Sequence, residues 1–414
     1  MITRRLPVLL LICLLASCLS ACWGRIESDE VEYVLGAAID VGQNKEIILS
    51  VQTPVLEALK SKGMGGAESL EKEKTISVSG RTVTEAVRKY TEVIGRDLFW
   101  SHLKVLLISE EAARRGVEKF MDFFSSEQEL RGSSRVCIVS GQAKDVLEAN
   151  PDIRVIASDY LVNLIQRSKR TAYSQDVLLS DFNRTLADPL GGQPFLPIIR
   201  LFSQTEYDQK LAGIQQKQKI GGSKQSPLFL LTGSTAIFKG TKMMGLITLH
   251  DTRGLMWAKK RVSDAIITIP CRNEPGCFIT LDVKRATRLD RDVDYADGKT
   301  IIRIGLGIEF NIAEKASHDI VVSRDYISYV EQQVAETVEK EIRSAFQQCV
   351  GTFHSDVFAF GNDLSDYHPG VWEQIKDQWE DEILPNADLE ISVNASMRRI
   401  SRTLASPWID IGQK

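Results

Sequence analysis

The stretch Ile76-Ser77-Val78-Ser79-Gly80-Arg81-Thr82-Val83-Thr84-Glu85-Ala86-Val87-Arg88-Lys89-Tyr90 changes its period in mid-course. Ile76 to Ser79 reads as a strand. From there the apolar residues Val83, Ala86, Val87, Tyr90 and Ile94 recur at helical intervals, and Thr82 with Glu85 has capping-box spacing. The exchange repeats downstream. Lys104 to Ile108 reads as a strand, Ser109 can cap a helix over Glu110 to Arg115, and Gly116 can end it. Val117, Phe120, Met121 and Phe124 then mark one apolar face of a further helix. Arg135 to Ser140 is a strand, Ala143 to Ala149 a short helix, and Leu161 to Arg167 and Leu178 to Leu186 read as helical. Such alternation predicts a mixed α/β fold for this half of the chain.

Upstream, Leu35 to Ile39 and Ile47 to Val51 flank the turn sequence Gly42-Gln43-Asn44-Lys45 and predict a hairpin. Residues 57–75 are polar and contain Gly63, Gly65 and Gly66, so they read as a loop. Residues 203–227 are the expected linker, with Gln215 to Lys219 leading into Gly221-Gly222-Ser223. A second region is expected from 228 to 400, followed by a tail over 401–414. Its strands are Ala265 to Ile269, Phe278 to Val283 and Ile302 to Phe310, and a closing strand runs through Leu389, Ile391, Val393 and Ala395. A long helix runs from about Arg324 to Cys349 with the stripe Ile327, Val330, Val334, Val338, Ile342 and Phe346. Glu336–Lys340 and Glu339–Arg343 have favourable i,i+4 spacing on it. Trp372, Ile375, Trp379 and Ile383 form one more helical stripe, whose default reading is core packing. The expected fold class is therefore α+β, or mixed α/β, with an N-terminal α/β region over 22–202 and a C-terminal region of mixed sheet and long helix.

The chain opens with Arg4 and Arg5, then an uncharged apolar run from Leu6 to Leu15, then Leu19-Ser20-Ala21-Cys22. This has the anatomy of a secretory signal over residues 1–21. A cysteine after Leu-Ser-Ala makes it a lipobox, so Cys22 is the expected lipidated first residue. Leu15-Ala16-Ser17-Cys18 is also a lipobox, which leaves Cys18 as the alternative. A transmembrane helix would need about 20 apolar residues, and Leu6 to Trp23 is slightly short and ends in small and polar residues. Two buried acyl chains, at about 0.8 kcal/mol per methylene, hold a protein on a membrane.

Removing 21 of 414 residues leaves 393, enough for two or three domains. The hydrophobic share of 43% and charged share of 26% are those of a globular body. The net charge of −4 becomes −6 once Arg4 and Arg5 leave, which argues against nucleic acid as a partner and against adhesion to anionic lipid without an anchor. Of seven cysteines, Cys137, Cys271, Cys277 and Cys349 remain in the body. Cys271 and Cys277 flank Arg-Asn-Glu-Pro-Gly, a turn sequence, and can bridge across a hairpin as a disulfide; without histidine partners they are a poor zinc signal.

Nothing else in the sequence carries chemistry above a structural reading. The histidines His102, His250, His318, His354 and His368 show no metal-ligand spacing. His354 with Asp356 reads as a solvated loop rather than an acid–base pair. Ser101-His102-Leu103-Lys104 fits Ser-x-x-Lys but enters a strand, and no Lys-Thr-Gly accompanies it. Gly221-Gly222-Ser223-Lys224 lacks phosphate-loop spacing. Asp251-Thr252-Arg253-Gly254 reads as a turn with a paired arginine rather than a ligand clamp. The expectation is no catalytic residue, no metal, no cofactor and no assignable ligand-binding residue.

The order of these segments resembles the Ger(x)C lipoproteins, the C subunits of spore germinant receptors. The resemblance is carried by Cys22-Trp23, Gly36 to Asp40, Gly80-Arg81-Thr82 with Glu85-Ala86, and Phe99-Trp100-Ser101-His102-Leu103-Lys104 with Glu110 and Gly116. It continues through Gly233 to Phe238, Gly245, Asp251 to Leu255, Asp356-Val357-Phe358-Ala359-Phe360-Gly361, Trp372 and Trp379. It favours Cys22 over Cys18. Gly24 departs from the acidic residue usual in the family, and Ser125 from an arginine. The resemblance implies three mixed α/β domains and no enzymatic activity. It also implies a complex with a multi-pass A subunit and a transporter-like B subunit on the outer face of the spore inner membrane, detecting nutrients. The alternative expectation is a solute-binding lipoprotein of an importer, and a third is a wall hydrolase.

Overall fold

The computed structural model describes residues 30–55, 73–149, 156–168, 172, 174–188, 192–202, 229–259, 262, 264–315 and 323–399. The signal, Cys18, Cys22, most of the glycine-containing loop, the linker at 203–227 and the tail lie outside the described residues.

Among the described residues the first region comprises β1 (Val31–Tyr33), β2 (Gly36–Val41), β3 (Ile47–Pro54), β4 (Glu73–Gly80), α1 (Val83–Ile94), β5 (Asp97–Phe99), β6 (Val105–Ser109), α2 (Glu110–Arg115), α3 (Glu118–Ser126), β7 (Arg135–Ser140), α4 (Ala143–Glu148), α5 (Ala157–Ser168), α6 (Leu179–Ala187), β8 (Phe195–Phe202), β9 (Phe229–Lys239) and β10 (Lys242–Ile247). Eight strands form one sheet in the order β10-β9-β8-β7-β6-β2-β3-β4, and β1 pairs in parallel with β5 beside it. The central strands β2, β6, β7 and β8 are parallel and apolar on both faces because both faces are covered. Ala37, Ile39, Leu106, Ile108, Val136 and Ile138 pack with α1, α3 and α6. Their neighbours Ala38, Val105, Leu107, Cys137 and Val139 pack with α4 and α5.

Local chemistry sets the helix ends. Thr82 accepts from the Glu85 amide at 3.1 Å, and the Glu85 carboxylate accepts from the Arg81 amide, one residue earlier than in a standard capping box. Ser109 caps α2 through the Ala112 amide at 3.3 Å.

The second region is α7 (Leu249–Ala258), β11 (Ala265–Pro270), β12 (Phe278–Ala296), β13 (Lys299–Lys315), α8 (Arg324–Phe346), α9 (Phe360–Tyr367), α10 (Pro369–Ile375) and β14 (Asp388–Arg399). Its sheet runs β11-β12-β13-β14, with β13 and β14 parallel. The inward residues Ile302, Ile304, Leu306, Ile308 and Phe310 meet the α8 stripe Val330, Val334, Val338 and Ile342 in one core. Tyr326 rather than Ile327 completes that stripe, and a turn of π-helix over Gln347–Thr352 replaces its expected last turn. Glu339 pairs with Arg343 at 2.8 Å, while Glu336 accepts from the amides of Gln332 and Gln333. Beyond α10 the chain passes through short 3₁₀ and π turns, which keep Trp372 and Trp379 buried with ring centroids 5.8 Å apart. The Trp-bearing helix is therefore shorter than its stripe suggests.

Strands β9 and β10 belong to the first sheet, although the sequence division puts 228–400 in the second region. The reason is the two-residue period of β9: Ala236 and Phe238 fill the first core while Ile237 faces the second. The strand serves both. Among the described residues no helix is long and apolar enough to cross a membrane.

Candidate functional site

A cleft opens at the carboxyl ends of β2, β6 and β7. The chain leaves β2 towards β3 on one side and leaves β6 towards β7 on the other. Such a reversal splays the connecting loops apart and is where open α/β sheets bind ligands. The cleft encloses about 800 Å³ and is lined by Asp40, Ser77, Ser109, Glu110, Gln142 and Lys144 among others. Asp40 sits at its floor, 6% exposed. Its carboxylate accepts from the amides of Ala143 at 2.8 Å and Lys144 at 3.0 Å, so it caps α4 and ties that helix to β2. Burial pushes the Asp40 carboxyl above its ordinary range, against the opposing pull of those amides and Ser109. Neither histidine nor cysteine lines the cleft. A carboxylate already holding two amides serves as a structural cap.

A second polar cluster lies between α7 and α8. Arg253 Nε donates to Glu341 Oε2 at 2.8 Å, Nη2 donates to Glu341 Oε1, and Nη1 donates to the Ile266 carbonyl at 2.7 Å. Trp257 Nε1 donates to Glu341 Oε2 at 2.9 Å, and the His250 ring lies 3.4 Å from Oε1. Arg253 and Glu341 are 3% and 6% exposed. The arginine is paired as expected, but Asp251 to Gly254 is helix and not turn. Thr248 and Asp251 form a capping box that starts α7 there.

The third cluster joins the two regions. Asp356, 1% exposed, accepts from the amides of Phe360 at 3.0 Å and Gly361 at 2.8 Å and from Trp379 Nε1 at 3.0 Å. Its own amide donates to Glu380, whose other oxygen accepts from Gln193 Nε2 at 3.1 Å. Gln193 also donates its amide to the Asp356 carbonyl at 3.0 Å. Burial raises the Glu380 carboxyl. Arg291 bonds Asp363 at 2.6 Å and the Phe358 and Ala359 carbonyls, with its guanidinium over the Phe360 ring. The expected solvated loop at His354 and Asp356 is thus corrected: Asp356 is the buried pin of the junction. His354 faces Asp381 at 3.9 Å.

Cys271 and Cys277 are joined as a disulfide across their turn, with Cα atoms 5.3 Å apart. Cys137 and Cys349 are free, and burial raises both thiols. Ser101 lies in a 3₁₀ turn, and Lys104 is ion-paired to Asp159 at 2.6 Å. His102 stacks edge-on against Tyr33, and His318 lies outside the described residues. Among the described residues no group of acidic, histidine or cysteine side chains could hold a metal. Asp40, Glu341, Gln193 and Glu380 were not singled out from sequence. The signal for the first two is a carboxylate interrupting an apolar pattern: Asp40 ends an apolar strand, and Glu341 sits among the stripe residues Val338, Ile342 and Ala345.

Residues 24–201 match the family model described as the spore germination protein N-terminal domain, and residues 233–401 match the spore germination B3/GerAC-like C-terminal model. The chain is 22% identical to spore germination protein B3 of Bacillus subtilis (strain 168) over 388 residues, covering 92% of this chain and 94% of that one. It is 21% identical to spore germination protein KC of the same organism over 402 residues, covering 95% of each. The crystal structure of the GerBC protein superposes with a TM-score of 0.51 at 17% identity, covering 88% of this chain and 97% of that chain. At that identity the likeness is one of fold.

Proposed function

The chain belongs to the GerAC-like family of spore germination proteins, and on that basis we propose that it is the lipid-anchored, non-catalytic subunit of a nutrient germinant receptor. The observation that carries the proposal is the succession of the two family models, in order, along a chain whose relatives match over nearly their whole length. The absence of a catalytic role is supported by how the buried polar groups are used. Asp40, Glu341 and Asp356 each hold backbone amides, an arginine or an indole, and are spent on architecture. The diacylglycerol anchor at Cys22, or at Cys18, places the body on the outer face of the spore inner membrane. There it meets a multi-pass A subunit and a transporter-like B subunit. Tethering raises the effective concentration to roughly the millimolar range, so weak contacts suffice. The proposed division is a region over 22–202, a linker at 203–227 and a region over 228–400, with three domains in all.

The solute-binding reading has one observation in its favour, the cleft over Asp40 at the strand ends. Thermal unfolding of the full chain in detergent against individual amino acids and sugars separates the two. The receptor-subunit reading predicts no shift with any nutrient alone, and co-purification of multi-pass membrane proteins with the tagged chain. A nutrient-specific rise in melting temperature without such partners would replace it with the solute-binding reading.

A further inference from the structure

Beside the Asp40 cleft a second cavity of about 390 Å³ opens between three rigid pieces of the first region. Lys45 comes from the turn between β2 and β3, Arg114, Arg115 and Lys119 from the junction of α2 and α3, and Lys242 from the start of β10. Asp40 is the one carboxylate among the residues that line it, and that carboxylate is occupied by the amides of α4. The arginines are held by neighbours on their own helix: Arg114 by Glu110 at 2.8 Å and Arg115 by Glu111 at 2.5 Å. Arg114 is fixed further by the Met244 carbonyl at 3.1 Å. Lys45, Lys119 and Lys242 have no ion-pair partner among the described residues. Three exposed lysines with no ion-pair partner among the described residues thus line one concavity of a chain whose net charge is −4. Like charges brought together repel, and an entering anion relieves that repulsion beyond what the Glu118 carboxylate beside Gly116 supplies.

The scaffold is ordered for this. Lys45 is held at a positive φ of 63° by the turn, with its amide on the Gly42 carbonyl at 3.1 Å. The Val117 amide donates to the Thr241 carbonyl at 2.9 Å, which locks the start of α3 to the β9–β10 turn and so fixes Lys119 relative to Lys242. Ile39, Ala112 and Phe120 form an apolar floor. We propose that this cavity is an anion-binding site taking a small phosphate- or carboxylate-bearing group. The group comes either from a free polyanion or from an anionic lipid headgroup at the membrane to which the chain is proposed to be anchored. The lysines supply charge-assisted hydrogen bonds to such a group, while the guanidinium groups of Arg114 and Arg115 stay on Glu110 and Glu111. The headgroup source rests on the proposed anchor; the free-anion source does not, and neither test involves germination.

The test is calorimetric titration of the full chain with inorganic pyrophosphate, in detergent and then in nanodiscs of neutral or of anionic phospholipid. Binding is expected in detergent, with the triple variant Lys45→Gln/Lys119→Gln/Lys242→Gln weakened by at least about tenfold. A control triple, Lys284→Gln/Lys299→Gln/Lys340→Gln in the second region, is expected to bind like the wild type. Equal affinity in neutral and anionic discs assigns the cavity to a free anion. Weakening in anionic discs that the lysine triple lacks assigns it to a headgroup competing for the cavity. No binding at millimolar pyrophosphate, or equal loss in both triples, overturns the proposal.

Discussion

Gly254→Ala is a small change with a large predicted effect. Gly254 lies on α7 where it crosses α8. A Cβ there would stand 2.0 Å from the Glu341 carbonyl oxygen, 2.5 Å from its carbon and 3.0 Å from the Ala345 Cβ. Ordinary contact is about 3.5 Å, so the helices must part locally by about 1.5 Å. Glu341 is also the acceptor for Arg253 and Trp257, at 2.8 and 2.9 Å. The same displacement carries those bonds past useful length and loosens a buried charge pair. Overpacking costs about 1–3 kcal/mol and a broken buried pair about 3–5 kcal/mol, so partial loss of both comes to about 4 kcal/mol. Alanine returns about 1 kcal/mol through helix propensity, for a net loss of about 3 kcal/mol. For a region of this size that lowers the melting temperature by about 6–12 °C. Thermal unfolding followed by tryptophan fluorescence reads this directly, because Trp257, Trp372 and Trp379 all lie in the affected core. A variant as stable as the wild type, or more stable through its better helix residue, would refute the claim that α7 and α8 are held at glycine distance.

In metabolic labelling with a fatty-acid analogue, Cys22→Ala is expected to lose the label and Cys18→Ala to keep it; the reverse pattern would move the anchor to Cys18. Non-reducing mass spectrometry of the mature protein should find Cys271 and Cys277 bonded, and Cys271→Ser/Cys277→Ser should cost about 2 kcal/mol or less because the closed loop is small. Finding both thiols free would remove the bridge. Glu32 is 5% exposed; burial would raise its carboxyl, but hydrogen bonds from Lys74 at 2.8 Å and Arg96 at 3.1 Å, with the Lys74 charge, outweigh this and hold it below its ordinary range. Its stabilisation is therefore present above its ordinary value of 4.5 and lost as pH falls through the depressed folded value. The advantage of wild type over Glu32→Gln should be about 2 kcal/mol at pH 7 and shrink as urea titrations move below that value; a constant gap would contradict the assignment.

The elements that sequence shows well are those in which pattern and end chemistry agree. Helix α1 has its apolar spacing, the Thr82 cap and Gly95 at φ 74° to end it. The strand from Ile302 to Phe310 alternates without fault. The sequence shows strand β12 only to Val283, because Arg285, Arg288, Asp290, Arg291, Asp292 and Asp294 make its second half resemble a loop. That half is a strand because it pairs with β13 across Asp297-Gly298, both at positive φ, a dipeptide that favours such two-residue turns. Over 195–202 Pro197 argues against a strand; the pairing of β8 with β9 shifts register between Pro197 and Ile199, which accommodates it. The buried polar clusters were the least legible. Glu341 and Arg253 are 88 residues apart, and Gln193 and Glu380 are 187 apart, so only the tertiary fold makes them partners. Local spacing holds no trace of such pairs.

The proposed role in germination is that of a tethered, non-catalytic subunit. Spores of the host lacking the chain, complemented with wild type, with Cys22→Ala or with Asp40→Asn, give the most direct measurement: loss of refractility after addition of nutrients. The deletion is expected to abolish the response to at least one nutrient. Wild type should restore it, Asp40→Asn should restore it wherever the protein accumulates, and Cys22→Ala should fail while its body remains folded. A deletion strain that answers every nutrient as the parent does would contradict the account, as would full rescue by the unlipidated chain.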